Sequence, residues 1–177
     1  MKKNLIKKSD TIFIAGHNGM AGKAIYRAFE RKGYKNLITE NRTNLDLSNY
    51  KDVNHWVEKV KPDVVILSAA KVGGIEANFS MPTEFLLENL RIQNNVIEAA
   101  WKNNVRRLLF LGSSCIYPRQ CKQPIEEDEL LNGKLEMTNE SYALAKIAGL
   151  RLCTSLRVQY KFDAISLMPS NLYGPGR

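Results

Sequence analysis

The feature that most constrains the fold is a glycine-rich turn between an apolar run and a helical pattern near the start of the chain. Residues 11–15 (TIFIA) form a short β-rich run that is typical of a buried strand. The glycines that follow are spaced G-x-x-G-x-x-G, at Gly16, Gly19 and Gly22. In this setting glycines let a pyrophosphate approach the backbone and the N–H groups of the helix N-terminus. The sequence therefore predicts a dinucleotide site that includes Met20, the alternative being a plain strand-to-helix turn.

Apolar β-rich runs alternate with helical patterns along the rest of the chain. Further strands are predicted at residues 36–39, 64–68, 107–111 and 163–168, and helices at residues 49–60, 83–103 and 140–160. Ser48 is the expected N-cap of the first of these helices. The alternation predicts an α/β fold, namely a Rossmann-type doubly wound parallel sheet with helices on both faces. The polar segment 118–139 is predicted to be a lid-like excursion.

Three charged side chains follow the second predicted strand, where a dinucleotide places its adenosine ribose. An acid such as Glu40 suits the ribose hydroxyls of NAD, whereas an arginine such as Arg42 suits the 2′-phosphate of NADP. We favour Arg42 and NADP(H), and NAD(H) remains possible. Asp46 either accepts from the adenine amino group or belongs to a capping turn. Glu40 and Arg42 are also compatible with ordinary solvated loop charges.

Tyr142 and Lys146 are four residues apart, so on a helix they share one face. A nearby ammonium favours the phenolate, and we therefore expect Lys146 to lower the pKa of Tyr142. Ala69 and Ala70 end the third predicted strand, where small residues let a ligand lie close. Asn89 lies among apolar neighbours in the helical pattern of residues 83–103, and we expect it to be exposed.

Five segments together resemble one known family. They are residues 16–22 (GHNGMAG), 69–75 (AAKVGGI), 111–118 (LGSSCIYP), 142–149 (YALAKIAG) and 169–175 (PSNLYGP). The chain is similar to the extended short-chain dehydrogenases/reductases and, within them, to the GDP-L-fucose synthase family. Those enzymes epimerise GDP-4-keto-6-deoxy-D-mannose and reduce its C4 ketone with NADPH. Dehydratases of the superfamily tend to carry Thr-Asp-Glu, and 4-epimerases Ser-Ala-Thr, where this chain has Ser-Ser-Cys.

The resemblance implies a division of labour among four residues. Tyr142 would protonate the C4 oxygen, and Lys146 would bind the nicotinamide ribose. Ser113 would hydrogen-bond the C4 carbonyl. Cys115 would exchange protons at C3 and C5, since a thiol can be tuned toward a neutral pKa, although most free cysteines are small buried hydrophobes.

The resemblance also implies contacts with the cofactor and with the substrate. By resemblance, Pro169 and Leu172 would join Ala69 and Ala70 in holding the cofactor. Ser114 and Asn171 would contact the substrate together with Ser113. No metal site is expected, because the three cysteines lack metal-ligand spacing.

The chain departs from the family pattern in two places. A basic residue that usually helps to hold the NADP phosphate is replaced by Asn18. The family also has a downstream histidine that partners the cysteine, whereas this chain has only His17 and His55. Because the sequence stops at Arg177, directly after a ligand-loop motif, we expect a cofactor-binding domain over residues 1–177 without the small C-terminal substrate domain.

Composition excludes several classes of protein. The net charge of +8 could attract anionic nucleotide sugars, but the basic residues are scattered and no aromatic stripe accompanies them, which disfavours nucleic acid. Residues 1–10, with four lysines, are expected to be a solvated basic tail. No apolar run is long enough for a membrane span, and no signal peptide is recognisable. Unpaired cysteines fit a cytoplasmic location.

Three functional interpretations stay open at this point. The first is the epimerase-reductase or its cofactor-binding fragment, acting on a nucleotide sugar. The second is another nucleotide-sugar 4-epimerase or reductase of the same superfamily. The third is a non-catalytic NAD(P)-binding module. The resemblance also implies a homodimer, formed through the helices near residues 83–103 and 140–160.

Overall fold

The computed structural model describes residues 6–175 as a single parallel sheet with flanking helices. The strands are β1 (Ile12–Ala15), β2 (Leu37–Ile38), β3 (Val64–Leu67), β4 (Arg107–Leu111) and β5 (Ala164–Leu167). The α-helices are α1 (Met20–Arg31), α2 (Tyr50–Val60), α3 (Ile75–Ser80), α4 (Pro82–Lys102) and α5 (Glu140–Tyr160). The strand order is β2-β1-β3-β4-β5, and every pairing is parallel. The predicted α/β doubly wound fold is confirmed.

Two apolar layers hold the sheet between its helices. On one face α2, α4 and α5 pack against side chains such as Phe13, Val65 and Phe110. On the other face α1 packs against Ile12, Ile14 and neighbouring strand residues. Both faces of β1 and β3 are therefore buried, which explains why these strands read as continuous apolar runs rather than alternating ones. Among the helices of the described residues, none is both long and apolar enough to cross a membrane.

The structure changes several predicted boundaries. The predicted second strand is shortened to Leu37–Ile38, and α3 was not predicted. The expected N-cap Ser48 is wrong: Asn49 caps α2, and its side chain accepts from the Lys51 N–H at 3.0 Å. The reason is that the Ser48 hydroxyl is turned back to the Asp46 carboxylate, 2.8 Å away.

In the described part of the expected basic tail, Lys7 and Lys8 are exposed, whereas Ile6 and Asp10 are packed against the fold. Ile6 packs against the core on the α1 face, and its carbonyl accepts from the Tyr34 hydroxyl at 3.3 Å. Asp10 is buried and forms an ion pair with Arg106. The Lys8 ammonium lies 4.1 Å from the Tyr34 ring centroid, although the rest of the side chain is exposed. The prediction for residues 1–5 lies outside the described residues.

The polar excursion 118–139 is a loop with two short 3₁₀ turns, Glu127–Glu129 and Met137–Asn139. Its two ends are joined by a backbone hydrogen bond from Arg119 to the Lys134 carbonyl at 2.9 Å. An ion pair of 3.1 Å between Arg119 and Glu136 reinforces this contact. The loop therefore has a defined path that returns the chain to the start of α5.

Candidate active site

Two adjoining cavities open at the carboxyl ends of the strands, where open parallel sheets bind ligands. The first has a volume of about 700 Å³, and the second about 360 Å³. Every residue singled out from the sequence as a candidate for catalysis or binding lines one or both. The first cavity is lined by Gly16, Gly19, Met20, Gly22, Arg42, Asp46, Ala69, Ala70, Lys146, Pro169 and Leu172. The second is lined by Ser114 and Cys115. Three of the candidates line both cavities, namely Ser113, Tyr142 and Asn171, and Val72 also lines both.

The glycine turn brings β1, β3 and α1 into very close contact. Gly16 has a φ of +91°, and a Cβ there would lie 2.5 Å from the Ala69 amide nitrogen. A Cβ on Gly22 would lie 2.1 Å from the Gly16 carbonyl oxygen. Gly19 is the N-cap of α1 and supplies no side-chain cap, so the first N–H groups of α1 are left for another acceptor. The turn can therefore present these N–H groups to an anionic group in the first cavity.

Charged side chains surround the outer end of the first cavity. An Arg42 amino group lies 3.4 Å from a Glu88 carboxylate oxygen, and Arg42 Nε lies 4.0 Å from Asp46. Glu40 accepts from the Trp56 indole N–H at 3.3 Å. Acids and a cation thus stand side by side at this end, as the sequence indicated.

Asp46 forms the capping turn that was one of its two predicted roles. Its Oδ1 accepts from the backbone N–H of Ser48 at 3.0 Å and from the Ser48 hydroxyl. These two hydrogen bonds stabilise the carboxylate and lower the pKa of Asp46. Because Asp46 also lines the first cavity, its contact with an adenine amino group stays a prediction.

A polar cluster ties α4 to the segment after β3. The Lys71 ammonium lies 2.8 Å from the Glu88 carboxylate. This hydrogen bond, aided by Arg42, lowers the pKa of Glu88. Next to it, Asn89 accepts from the Lys71 N–H at 2.9 Å and donates to the Lys71 carbonyl at 3.0 Å. The expectation that Asn89 is exposed is wrong, since the side chain is buried. It forms hydrogen bonds with the backbone of Lys71, which lies outside the strands.

Lys146 lies at the inner end of the first cavity with its side chain almost wholly buried. Its ammonium donates to the Leu111 carbonyl at 2.8 Å and lies 4.8 Å from the Phe110 ring centroid. It lies 5.7 Å from the Tyr142 ring centroid, so the two side chains share the predicted helix face. Burial disfavours the charged form and lowers the pKa of Lys146 to about 8.

The expected lowering of the Tyr142 pKa is wrong. Burial raises the pKa of Tyr142 to about 12, with a further rise from Cys115 and only partial compensation by a hydrogen bond from Ser113. The Lys146 ammonium is directed at the Leu111 carbonyl instead of the phenol oxygen, and it is itself desolvated. The phenol is consequently held in its protonated form.

The expected tuning of Cys115 toward a neutral pKa is also wrong. Burial raises the pKa of the thiol, and the neighbouring Ser113 and Lys146 offset the rise only in part. Ser113 caps the 3₁₀ turn Ser114–Ile116, and its hydroxyl oxygen accepts from the Cys115 N–H at 3.4 Å. This turn places the thiol in the wall of the second cavity.

Two asparagines of the second cavity were not found from the sequence. Asn78 donates from its amide nitrogen to the Gly73 and Gly74 carbonyls, both at 2.9 Å. Within residues 6–175, no donor lies within hydrogen-bond distance of Asn78 Oδ1 or of Asn139 Oδ1, and both oxygens are buried. Both residues line the second cavity, and an unsatisfied buried acceptor is costly, but these two oxygens expose almost no surface to the cavity. The helix α3, which carries Asn78, gave no signal beyond its polar composition.

Comparison with known proteins places the chain in a family. Residues 12–177 match the NAD dependent epimerase/dehydratase family. The chain belongs to this family. It is 52% identical to GDP-L-fucose synthase 1 of Arabidopsis thaliana over 168 residues, covering 95% of this chain and 52% of that protein. It is also 52% identical to the GDP-L-fucose synthase of Escherichia coli (strain K12), covering 93% of this chain and 51% of that protein.

A solved family member extends the comparison to three dimensions. A GDP-mannoheptose C4 reductase from Campylobacter jejuni with NADP bound has a TM-score of 0.92 and 40% identity, covering 95% of this chain and 53% of that one. The chain spans about half the length of the curated relatives it matches. The residues of this chain that match the family, 12–177, include all those that line the two cavities.

Proposed function

We propose that this chain carries the NADPH-binding and catalytic side chains of an epimerase-reductase that converts GDP-4-keto-6-deoxy-D-mannose to GDP-L-fucose. One observation carries the proposal: Ser113, Cys115 and Tyr142 meet where two cavities join, and the larger cavity begins at a glycine turn. The 52% identity to GDP-L-fucose synthases supports this reaction over others in the family.

The first cavity fits a dinucleotide along its whole length. The N–H groups at the start of α1 suit a pyrophosphate, and the guanidinium of Arg42 suits a 2′-phosphate. The Lys146 ammonium, at the opposite end, suits the hydroxyls of the nicotinamide ribose. NADPH bound in this orientation supplies a hydride for a substrate carbonyl. NADH is the alternative cofactor, with Glu40 as the group that accepts from its ribose hydroxyls.

Reduction of the C4 ketone needs a proton on the carbonyl oxygen. The buried phenol of Tyr142 holds that proton up to high pH, so the donor is loaded throughout the neutral range. The Ser113 hydroxyl, which already interacts with Tyr142, would donate to the same oxygen and orient the ketone. The reduction would thus add one hydride to C4 and one proton to the C4 oxygen.

Epimerisation requires a proton to leave and return at C3 and C5, which the C4 ketone acidifies. Cys115 lines the second cavity beside Tyr142, and its raised pKa favours the thiol that returns a proton. In the described residues the two histidines are His17 and His55, and neither lines this cavity. We therefore place the partner base outside residues 6–175.

The second cavity would hold the sugar ring through neutral polar groups. Ser114 and Asn171, which line this cavity, would form hydrogen bonds with sugar hydroxyls. Such groups recognise hydroxyls without introducing a charge next to the reacting ketone.

A further segment would complete the substrate site. Ile75, Phe79 and Met137 stand on α3 and the adjacent 3₁₀ turn with most of their surface exposed. The relatives are about twice as long as this chain, and we propose that a segment equivalent to their remaining half covers these side chains. That segment would also supply the partner base of Cys115.

We also propose a homodimer formed through α4 and α5. The two helices pack side by side, and Leu87, Leu144 and Val158 leave apolar surface exposed on them. A monomer in light scattering would contradict this assembly.

The free thiols of Cys115, Cys121 and Cys153 favour a reducing compartment such as the cytoplasm.

A second candidate is a C4 reductase of another GDP-linked sugar. The 40% identity and TM-score of 0.92 to a GDP-mannoheptose C4 reductase favour it as the alternative. Such an enzyme would use Tyr142 and Ser113 but would leave Cys115 without a role in turnover. A non-catalytic NADPH-binding module would use neither cavity for chemistry.

The deciding experiment uses the chain together with the segment proposed to complete its substrate site. It follows NADPH oxidation at 340 nm with GDP-4-keto-6-deoxy-D-mannose, in D₂O, and analyses the product by mass spectrometry and NMR. The proposal expects NADPH consumption and deuterium at C3 and C5, with Cys115→Ser losing the deuterium but retaining cofactor binding. Reduction without deuterium at C3 and C5 would favour the C4 reductase. Cofactor binding without NADPH oxidation would favour the non-catalytic module.

A further inference from the structure

Arg42, the cation expected to meet the 2′-phosphate, is already engaged by acids. Its guanidinium contacts Glu88 at 3.4 Å and Asp46 at 4.0 Å. Glu88 has not been assigned any role above, since it does not line either cavity. It stands on α4, the helix that faces the ends of β2 and β3 at this position. Any phosphate that binds Arg42 therefore competes with a carboxylate of this chain.

We propose that Glu88 is a specificity-determining residue that limits the preference for NADP(H) over NAD(H) by competing for the Arg42 guanidinium. The inference rests on the proposed use of this cavity for a nicotinamide dinucleotide. It predicts that the charge of Glu88 acts on the cofactor's 2′-phosphate and leaves the rest of the dinucleotide unaffected.

The carboxylate of Glu88 is well placed to stay ionised. It lies between two cations, and the 2.8 Å contact from the Lys71 ammonium is the shorter one. The surrounding cations hold the pKa of Glu88 below its ordinary value. Glu88 is therefore an anion at neutral pH, and it repels a second anion brought to Arg42.

Removing this charge is expected to leave the local backbone in place. The backbone of Lys71 is held by Asn89, which accepts from its N–H and donates to its carbonyl. Glu88 contributes only side-chain contacts to the cluster, and a quarter of its side chain is exposed. A substitution to glutamine keeps the shape and removes the charge, so it tests electrostatics and not packing.

Solvent limits the size of the effect. The Arg42 side chain is 72% exposed, and exposed ion pairs are typically worth only a fraction of 1 kcal/mol. We therefore expect Glu88→Gln to raise the ratio of the NADH dissociation constant to the NADPH dissociation constant by about twofold. The change should come from tighter NADPH binding, because NADH has no phosphate at this position.

The test measures both dissociation constants by nicotinamide fluorescence for the wild type, Glu88→Gln, Arg42→Gln and the double variant. Glu98→Gln is the matched control, because Glu98 lies on the same helix and forms an exposed ion pair of 2.7 Å with Lys102, away from both cavities. In the Arg42→Gln background, Glu88→Gln should no longer change the ratio, since its effect acts through the guanidinium.

Each outcome decides the matter. A rise in the ratio for Glu88→Gln alone, abolished in the double variant, supports the inference. An unchanged or lowered ratio overturns it and leaves the proposed function standing, as does a rise that persists without Arg42 or that Glu98→Gln reproduces. If the wild type binds neither NADPH nor NADH, the proposed function fails and the inference fails with it.

Discussion

The two ends of the first cavity use charge in opposite ways. At the outer end, the Arg42 side chain is 72% exposed. It contacts Asp46 and Glu88, whose side chains are also partly exposed. At the inner end, Lys146 is only 4% exposed, and within residues 6–175 its ammonium donates to one backbone carbonyl, that of Leu111. The same kind of side chain is therefore screened at one end and desolvated at the other.

This difference separates recognition from chemistry. Screened charges at the outer end change their partners at little cost, so they suit discrimination between two cofactors that differ by one phosphate. Desolvation at the inner end shifts the pKa of Lys146 downward and those of Tyr142 and Cys115 upward. The phenol of Tyr142 and the thiol of Cys115 therefore keep their protons through the neutral range and are available as proton donors.

Removing the phenol hydroxyl should have the largest effect. Tyr142→Phe deletes the proton donor at the inner end, and NADPH oxidation with the keto sugar should slow by roughly 10²–10⁴-fold while NADPH affinity is retained. Stopped-flow absorbance at 340 nm measures the rate. Tyr160→Phe, on the same helix but remote from both cavities, is the control. A Tyr142→Phe rate within a few-fold of the wild type would exclude Tyr142 as the acid.

The next largest effect is expected from a substitution that disturbs the packing beneath the inner end of the first cavity. A Cβ on Gly149 would lie 2.7 Å from Phe110 Cζ and 2.9 Å from Gln93, so Gly149→Ala should destabilise the fold by about 1–3 kcal/mol. Gly74→Ala is the matched control, because nothing lies within 4 Å of its Cβ position. Urea unfolding compares the two. Equal stabilities would show that the inner end is not close-packed.

The burial of Lys146 should appear in the pH dependence of stability. Its pKa is about 8 in the folded chain and 10.5 ordinarily, so between these values the unfolded chain binds more protons and this group makes stability rise with pH. Relative to the wild type, Lys146→Met should therefore be most stable near pH 7, with the advantage shrinking above pH 8. Urea unfolding at several pH values measures it, and Lys102→Met is the exposed control. An advantage that grows with pH would contradict the burial.

Salt should have the smallest effect, and only at the outer end. Raising ionic strength should weaken NADPH binding more than NADH binding, because only NADPH offers a phosphate to the exposed Arg42. In Arg42→Gln the two salt dependences should become alike. Isothermal titration at low and high salt measures the difference. Parallel salt dependences in the wild type would show that Arg42 does not meet the phosphate.

The fold and the location of the site could be predicted from sequence because their signals are local. The G-x-x-G-x-x-G turn after residues 11–15 and the alternation of strands and helices require only neighbouring residues. The candidate residues, from Gly16 to Leu172 along the chain, lie at one edge of the sheet because the carboxyl ends of its parallel strands meet there.

What failed depends on distant contacts. The pKa of Tyr142 follows from burial and from where the Lys146 ammonium points, and neither is visible in a four-residue spacing. The burial of Asn89 is not visible in the sequence because its partner, the Lys71 backbone, is 18 residues away. Glu88 went unnoticed for the same reason, since only the fold brings α4 to Arg42.

A crystal structure of the chain with NADPH bound tests the central contrast between the two ends most directly. We expect the 2′-phosphate at Arg42, the pyrophosphate on the N–H groups at the start of α1, and the nicotinamide between Lys146 and Tyr142. A nicotinamide at the Arg42 end, or NADPH bound outside the first cavity, would contradict this expectation.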